Sequence, residues 1–168
     1  MIKAFKTALA LVLALALLLS ATACGEYKRV ELGDLGLSIM KNMRKTADDN
    51  YDICYSTLEC MIGAQEINAQ RLEKMGLSAD ATLEMATNAF IERNGIDRSQ
   101  CELSFDEEMN AYKMRYSLSY DGSVYYFHYN VFIGGSERMY FVDMICDYEE
   151  SSYYIIEFER MGKRITCK

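Results

Sequence analysis

The sequence predicts a single α+β domain in which a mostly antiparallel sheet is packed by two main helices. Residues 101–147 alternate polar and apolar side chains with the period of two that is typical of half-buried strands. Two flanking segments, 78–93 and 148–161, instead repeat apolar residues three and four apart, as amphipathic helices do. A chain of 168 residues has the length of one ordinary domain. We expect this domain to span residues 36–168.

The first 23 residues have the organisation of a secretory signal peptide. Lys3 and Lys6 precede an apolar run, Ala8–Leu19, that carries no charge. As a helix this run would be roughly 18 Å long, which is short of the roughly 30 Å hydrocarbon core of a bilayer. A cleaved leader at 1–23 is therefore favoured over a transmembrane anchor.

The leader ends in the sequence SATACG at residues 20–25. Small residues before a cleavage point suit any signal peptidase, so Ala21 and Ala23 alone would predict plain secretion. With Cys24 directly after them, the segment resembles the bacterial lipobox. That resemblance implies that Cys24 receives a diacylglyceryl group and becomes the new N-terminus. Acyl chains such as palmitate would then hold the protein at the extracytoplasmic face of the bacterial cell membrane, and residues 24–35 would form the lipidated N-terminus and a linker.

The charge balance disfavours two modes of binding. The chain has 18 Lys and Arg against 25 Asp and Glu, and loss of the leader would remove Lys3 and Lys6 but no acidic residue. Nucleic-acid binding requires clustered basic side chains, and so does electrostatic attachment to anionic lipid. We therefore expect no nucleic-acid partner, and we expect the lipid on Cys24 to be the means of membrane attachment.

Short strands are predicted to open the domain. Residues 37–40 favour a short strand, and the polar segment 41–50 favours a loop. The segments 51–55 and 59–67 then predict two antiparallel strands that form a hairpin.

Two helical segments follow the hairpin. A helical turn at 69–75 is expected to end at Gly76, because glycine adopts the left-handed conformation that closes many helices. Ser78 is a favourable N-cap for a longer helix that ends at Asn94-Gly95. The apolar stripe of this helix comprises Leu83, Met85, Ala86, Ala89 and Phe90.

Three consecutive strands then predict a meander. Residues 112–120 alternate, Asp121-Gly122 favours a hairpin turn, and 124–133 runs back. Gly134-Gly135 turns the chain again into 138–146. One side of the middle strand carries Tyr125, Phe127, Tyr129, Val131 and Ile133, and the other carries Tyr126, His128, Asn130 and Phe132.

The closing element is predicted to be a helix over 148–161. Acidic residues at 149–150 and Arg160 near the other end complement the helix dipole. Its apolar stripe comprises Tyr154, Ile155, Phe158 and Met161, and residues 165–167 are expected to add an edge strand.

The order of these elements resembles the PsbP/Mog1-like α/β/α sandwich. The likeness covers residues 36–168 and includes the aromatic stretch GSVYYFHYNVF at 122–132. More narrowly, the chain is similar to small bacterial lipoproteins of unknown function with that fold. The resemblance implies a role in binding or assembly more than in catalysis.

Apart from Cys24, the chain has five cysteines: Cys54, Cys60, Cys101, Cys146 and Cys167. An odd number outside the cytoplasm leaves at least one thiol unpaired, and the spacings match neither a CxxC motif nor a zinc site. Most of these side chains are expected to be buried as small hydrophobic groups. If a disulfide forms, Cys54–Cys60 and Cys146–Cys167 are the candidate pairs.

The residues do not form a recognisable catalytic set. The single histidine, His128, would need a nucleophile and a carboxylate beside it to build a triad, and the sequence does not place them there. Adjacent acidic pairs such as 107–108 point in different directions on a helix or a strand. We therefore expect no catalytic residue, no metal site and no cofactor.

Tyr126, His128 and Asn130 form a candidate binding face, with Asp143 beside them if the neighbouring strands pair in register. Aromatic and amide groups together suit a sugar or a peptide, although a covering helix would make the same residues part of the core. The favoured hypothesis is a tethered, non-enzymatic module for a protein or small ligand. The alternative is a tethered hydrolase that uses His128 with a cysteine or a carboxylate.

Palmitate labelling tests the lipid anchor. In cells fed labelled palmitate, the wild-type chain should incorporate the label and Cys24→Ala should not, because the Cys24 thiol is the expected lipid acceptor. Equal labelling of the two proteins would contradict the lipoprotein hypothesis.

Overall fold

The structure, a computed structural model, describes residues 27–119, Gly122 and residues 125–168. The leader, Cys24 and Asp121 of the predicted turn lie outside these residues. The strands in the described part are β1 (Tyr27–Leu32), β2 (Leu35–Met40), β3 (Arg44–Thr46), β4 (Ile53–Ser56), β5 (Cys60–Glu66), β6 (Glu102–Asp106), β7 (Ala111–Ser119), β8 (Tyr125–Gly134), β9 (Met139–Asp147) and β10 (Thr166–Cys167). The helices are α1 (Ala69–Lys74), α2 (Leu83–Arg93) and α3 (Ser151–Gly162), with short 3₁₀ turns at Arg98–Gln100 and Tyr148–Glu150.

The larger sheet has seven antiparallel strands in the order β3-β4-β5-β9-β8-β7-β6. The predicted hairpin is β4–β5, and the predicted meander is β7–β8–β9. They join because β5 pairs with β9, from Cys60 opposite Cys146 to Glu66 opposite Tyr140. The third strand of the meander therefore lies at the centre of the sheet.

The smaller sheet has three antiparallel strands in the order β1-β2-β10. It corrects the predicted linker at 24–35, since Tyr27 already begins a strand and Leu35 is fully buried. The hydroxyl of Tyr27 also donates to Glu157 of α3. Charged residues interrupt β1, so the strand carries little of the alternation on which the sequence prediction depends. The edge strand predicted at 165–167 is present as β10.

Each face of the larger sheet has its own core. On one face β2 and α3 pack against the central strands, through Leu35, Leu37, Ile39, Ile62, Val131, Val142, Phe158 and Met161. On the other face α1 and α2 cover Met114, Phe132 and Phe141, with Leu72, Ala86, Phe90 and Ile91. Because β8 and β9 contribute to both cores, the described residues form a single α+β domain, as predicted.

The helices form where they are predicted, but α2 and α3 begin later than predicted, at Leu83 and at Ser151. Gly76 and Gly95 adopt positive φ angles of 75° and 61° just beyond α1 and α2, as expected for helix ends. Thr82, and not Ser78, is the N-cap of α2, because its hydroxyl accepts from the Met85 N–H at 3.2 Å. The Ser78 hydroxyl instead donates to Asp80. None of the helices in the described residues is long and apolar enough to cross a membrane.

The segment 41–50, which is predicted to be a loop, contains a short strand. Residues Arg44–Thr46 form β3, which pairs with β4 at the edge of the larger sheet. All three of its residues are exposed. A short solvated strand of this kind has no buried side and therefore no hydrophobic pattern to detect.

The assignment of the N-cap can be measured. Thr82→Ala should lower the free energy of unfolding by about 1 kcal/mol, because it removes the acceptor for the Met85 N–H. Ser78→Ala is the matched control and should have a clearly smaller effect. Urea unfolding followed by circular dichroism measures both, and a larger loss for Ser78→Ala would contradict Thr82 as the cap.

Candidate functional site

Three members of the predicted binding face meet in the structure, but they are buried. Asn130 of β8 lies directly opposite Asp143 of β9, so the register on which the prediction depended is present. His128 lies two residues from Asn130 and therefore on the same side of the strand. The exposed fractions of His128, Asn130 and Asp143 are 2%, 0% and 5%.

The Asp143 carboxylate is the common acceptor of this group. Its Oδ2 accepts from the Tyr51 hydroxyl at 2.7 Å, and its Oδ1 accepts from Asn130 Nδ2 at 2.6 Å. His128 Nδ1 lies 3.2 Å from the same Oδ1. Asn130 Oδ1 in turn accepts from the Tyr116 hydroxyl at 2.8 Å. We call these five residues the polar cluster.

Tyr51 reaches the polar cluster from the loop before β4. Its ring lies over Gly63 of β5, where an added Cβ would overlap the ring atoms. Glycine at this position therefore leaves the space that Tyr51 needs to reach Asp143. Burial, together with the negative charge of Asp143, raises the pKa of Tyr51 far above its ordinary range, so its hydroxyl stays protonated and donates.

The ring of Tyr116 completes the cluster by stacking on His128. The ring centroids are 4.9 Å apart and the planes are nearly parallel, at 1°. In the register of β7 and β8, Tyr116 lies opposite His128. Tyr116 is not among the predicted site residues, although a hairpin turn centred on Gly122 pairs it with His128. Tyr51 had no such local signal, because its contact with Asp143 spans 92 residues.

A pocket of about 500 Å³ opens beside the polar cluster, and we call it the rim pocket. Tyr51 and His128 supply its polar floor, and the half-buried Tyr126 forms part of its wall. The fourth predicted residue thus borders the same pocket without belonging to the buried cluster. Leu58, fully exposed at the tip of the β4–β5 hairpin, also lines the pocket.

Acidic side chains surround the rim pocket. Asp48, Glu59 and Asp147 line it, and no Lys or Arg is among the described residues that do. In the described part of the chain, no group of three or more His, Cys, Asp or Glu side chains is arranged to hold a metal ion. The pocket therefore has the charge and shape to contact a neutral or cationic group.

A second pocket, of about 560 Å³, lies where β7 and β8 meet the start of α3. Arg115, Tyr125 and Tyr148 are among its lining residues, and it shares only Tyr116 with the polar cluster. It is therefore separate from the predicted binding face, and the rim pocket is the better candidate site.

The cysteine thiols near the rim pocket are poorly suited to nucleophilic attack. Cys60 and Cys146 line the pocket but are buried, and burial is the largest cause that raises the pKa of both thiols. The pKa of Cys146 rises to about 12, with the neighbouring Cys60 as the second cause. A thiol is reactive only as thiolate, so these side chains remain protonated near neutral pH.

Comparison with known structures confirms the predicted PsbP-like fold. The solution structure of cyanobacterial PsbP (CyanoP) from Synechocystis sp. PCC 6803 matches with a TM-score of 0.54 at 9% identity, covering 85% of this chain and 93% of that chain. A Pseudomonas aeruginosa protein of unknown function, PA94, gives a TM-score of 0.48 at 11% identity, covering 86% and 99%. No protein-family model matches the sequence, and no curated protein matches it.

Substitution of Asp143 tests the polar cluster. Asp143→Ala should lower the free energy of unfolding by about 3 kcal/mol, because buried donors of Tyr51 and Asn130 lose their acceptor. Asp143→Asn keeps one acceptor oxygen and offers an amide N–H to the Tyr51 oxygen. Its free energy of unfolding should therefore fall by about half as much. Urea unfolding measures both, and a greater loss for Asp143→Asn would contradict the proposed hydrogen-bond pattern.

Proposed function

We propose that this chain is a lipid-anchored extracytoplasmic module that binds a small ligand or a peptide of a partner protein in the rim pocket, without catalysing a reaction. The observation that carries this proposal is the rim pocket itself, whose floor belongs to a buried and fully hydrogen-bonded cluster. Binding sites gain affinity when their polar groups are held in place by a supporting shell. Every buried side-chain polar atom in the described residues has a partner, so this floor does not need to reorganise.

The charge of the rim pocket narrows the ligand class. Asp48, Glu59 and Asp147 repel an anion and attract a cation. Tyr51 and Tyr126 add aromatic surface against which a sugar ring or an aliphatic side chain can pack. A sugar or a peptide with a basic residue fits this lining better than an acidic ligand does.

The lipobox at residues 20–25 supports the proposed location. Acyl chains on Cys24 would keep the module at the membrane surface, and the folded domain begins by Tyr27. Only a few residues would then separate the lipid from the domain, so the proposed ligand or partner belongs close to the outer membrane–water boundary of the cell membrane.

A hydrolase is the second candidate, and one distance favours it. His128 Nδ1 lies 3.2 Å from Asp143 Oδ1, which is the arrangement that orients the histidine of a catalytic triad. Two observations weigh against this candidate. Only 2% of His128 is exposed, and burial keeps the thiols of Cys60 and Cys146 protonated.

Peptide titration tests the binding proposal. A short Lys-rich peptide added to the labelled mature chain should shift the amide NMR signals of residues 57–61 and 126–128, whereas an acidic peptide of equal length should not. Asp147→Asn should weaken binding of the Lys-rich peptide about threefold, because one exposed ion pair is lost. Glu73→Gln is the matched control, because it removes the same charge on α1, beyond the opposite end of β5.

Two outcomes would count against this proposal. If neither peptide shifts the signals of the rim pocket, and a chitin-type oligosaccharide also fails to do so, the pocket is not the site. If the chain hydrolyses a chromogenic ester and His128→Asn abolishes the turnover, the hydrolase is the better assignment.

A further inference from the structure

We infer that Cys60 and Cys146 form a cross-strand disulfide when the chain folds in an oxidising compartment. The inference concerns a covalent site at one end of the larger sheet. It depends on the proposed function only for the compartment, and not for any ligand.

The register of β5 and β9 places the two cysteines side by side. Cys60 begins β5 and lies directly opposite Cys146 of β9. Directly opposite residues of an antiparallel pair have Cα atoms about 4.5 to 5.5 Å apart. This separation falls within the range of about 4.4 to 6.8 Å that disulfides require.

Both cysteine side chains point to the same face of the sheet. Cys60 and Cys146 both belong to the core beneath β2 and α3, with exposed fractions of 5% and 2%. The neighbouring Cys60 is also one of the causes that raise the pKa of the Cys146 thiol, as expected for groups that lie close together. The two groups therefore meet without any movement of the strands past each other.

The other described cysteines do not share this placement. Cys54 lies opposite Gly63, and Cys167 lies opposite Leu35 in the smaller sheet. Cys101 precedes β6 at the far edge of the larger sheet. The pairs that the sequence suggested, Cys54–Cys60 and Cys146–Cys167, are therefore not cross-strand partners. All five thiols in the described part of the chain are free in the structure.

The bond would form by thiol–disulfide exchange with a small or protein disulfide as the oxidant. One cysteine thiolate attacks the oxidant, and one sulfur of the oxidant leaves as a thiol. The second cysteine thiolate then attacks the mixed disulfide and releases the other sulfur as a second thiol. The protein loses two protons and two electrons, and both pass to the oxidant. Because burial protects these thiols in the native state, the exchange belongs to folding.

The bond would also act on the rim pocket. A disulfide between Cys60 and Cys146 would fix the spacing of β5 and β9 at the end of the sheet where both residues line the pocket.

Refolding in a glutathione redox buffer tests the pairing. The reduced, unfolded mature chain is refolded with oxidised and reduced glutathione, its free thiols are blocked with iodoacetamide, and its peptides are mapped by mass spectrometry. We expect a cross-linked peptide that joins Cys60 to Cys146, and a thermal midpoint above that of protein refolded with dithiothreitol. Folded wild-type protein with both cysteines alkylated, or with either of them joined to another cysteine, would overturn the inference.

Single substitutions give the matched controls. Cys54→Ser removes another buried cysteine of the same hairpin and should keep both the cross-link and the higher thermal midpoint. Cys146→Ala should lose both, and circular dichroism reports whether it folds. If Cys146→Ala does not fold, the wild-type peptide map decides the question without it.

Thiol trapping in cells separates this inference from the proposed location. After acid quenching, maleimide should not label Cys60 and Cys146 of the wild-type chain, because both sulfur atoms are in the disulfide. If the disulfide forms on refolding but both thiols are labelled in cells, the pairing stands and the extracytoplasmic location is contradicted.

Discussion

The buried carboxylate of Asp143 is the constraint around which this structure is organised. A carboxylate at the centre of a sheet is costly unless its oxygens accept hydrogen bonds, and here three side chains approach it. Those contacts require that β8 and β9 pair in one register, because a shift by one residue would turn Asn130 and His128 to the other face. They also require that the loop before β4 brings Tyr51 over Gly63. One charged group therefore couples the hairpin to the meander, and a polar cluster of this kind can specify a unique arrangement even where it adds little stability.

The two faces of the larger sheet are used differently. One face is covered by the smaller sheet and α3 and is almost entirely apolar. On the other face, α1 and α2 cover the part around Phe132 and Phe141, and the polar cluster occupies the part beyond them. A sheet face that is only half covered by helices leaves a concave edge, and the rim pocket forms there. The candidate site is thus a consequence of where the helices end, and it lies over the central strands of the sheet.

The rim pocket and the cysteine pair share the end of β5 and β9. His128 and Tyr51 approach this end from one face, whereas Cys60 and Cys146 approach it from the other. A change in the spacing of β5 and β9 would move the residues on both faces of the sheet, because residues opposite each other in a sheet move together. In our proposal the ligand and the redox state therefore act on one structural element. The PsbP-like fold by itself carries no function, so the proposal depends on the side chains at this end of the sheet.

The sequence by itself determined the local elements. The alternation from Tyr112 onwards predicts the meander, the glycines at 76 and 95 mark the helix ends, and the spacing of Asn130 and Asp143 allows the pairing that is observed. Such signals are readable because they depend on neighbours within one turn or one hairpin. Only the tertiary structure decided that β5 lies beside β9, that the charged β1 belongs to a second sheet, and that Tyr51 contacts Asp143. These contacts join segments that are distant in the sequence, and the residue pattern of each segment does not indicate its partner. The partner depends on which faces remain uncovered after the local elements have formed. Tertiary packing also decided whether the candidate residues lie at the surface or in the core, because local residue spacing does not indicate what covers them.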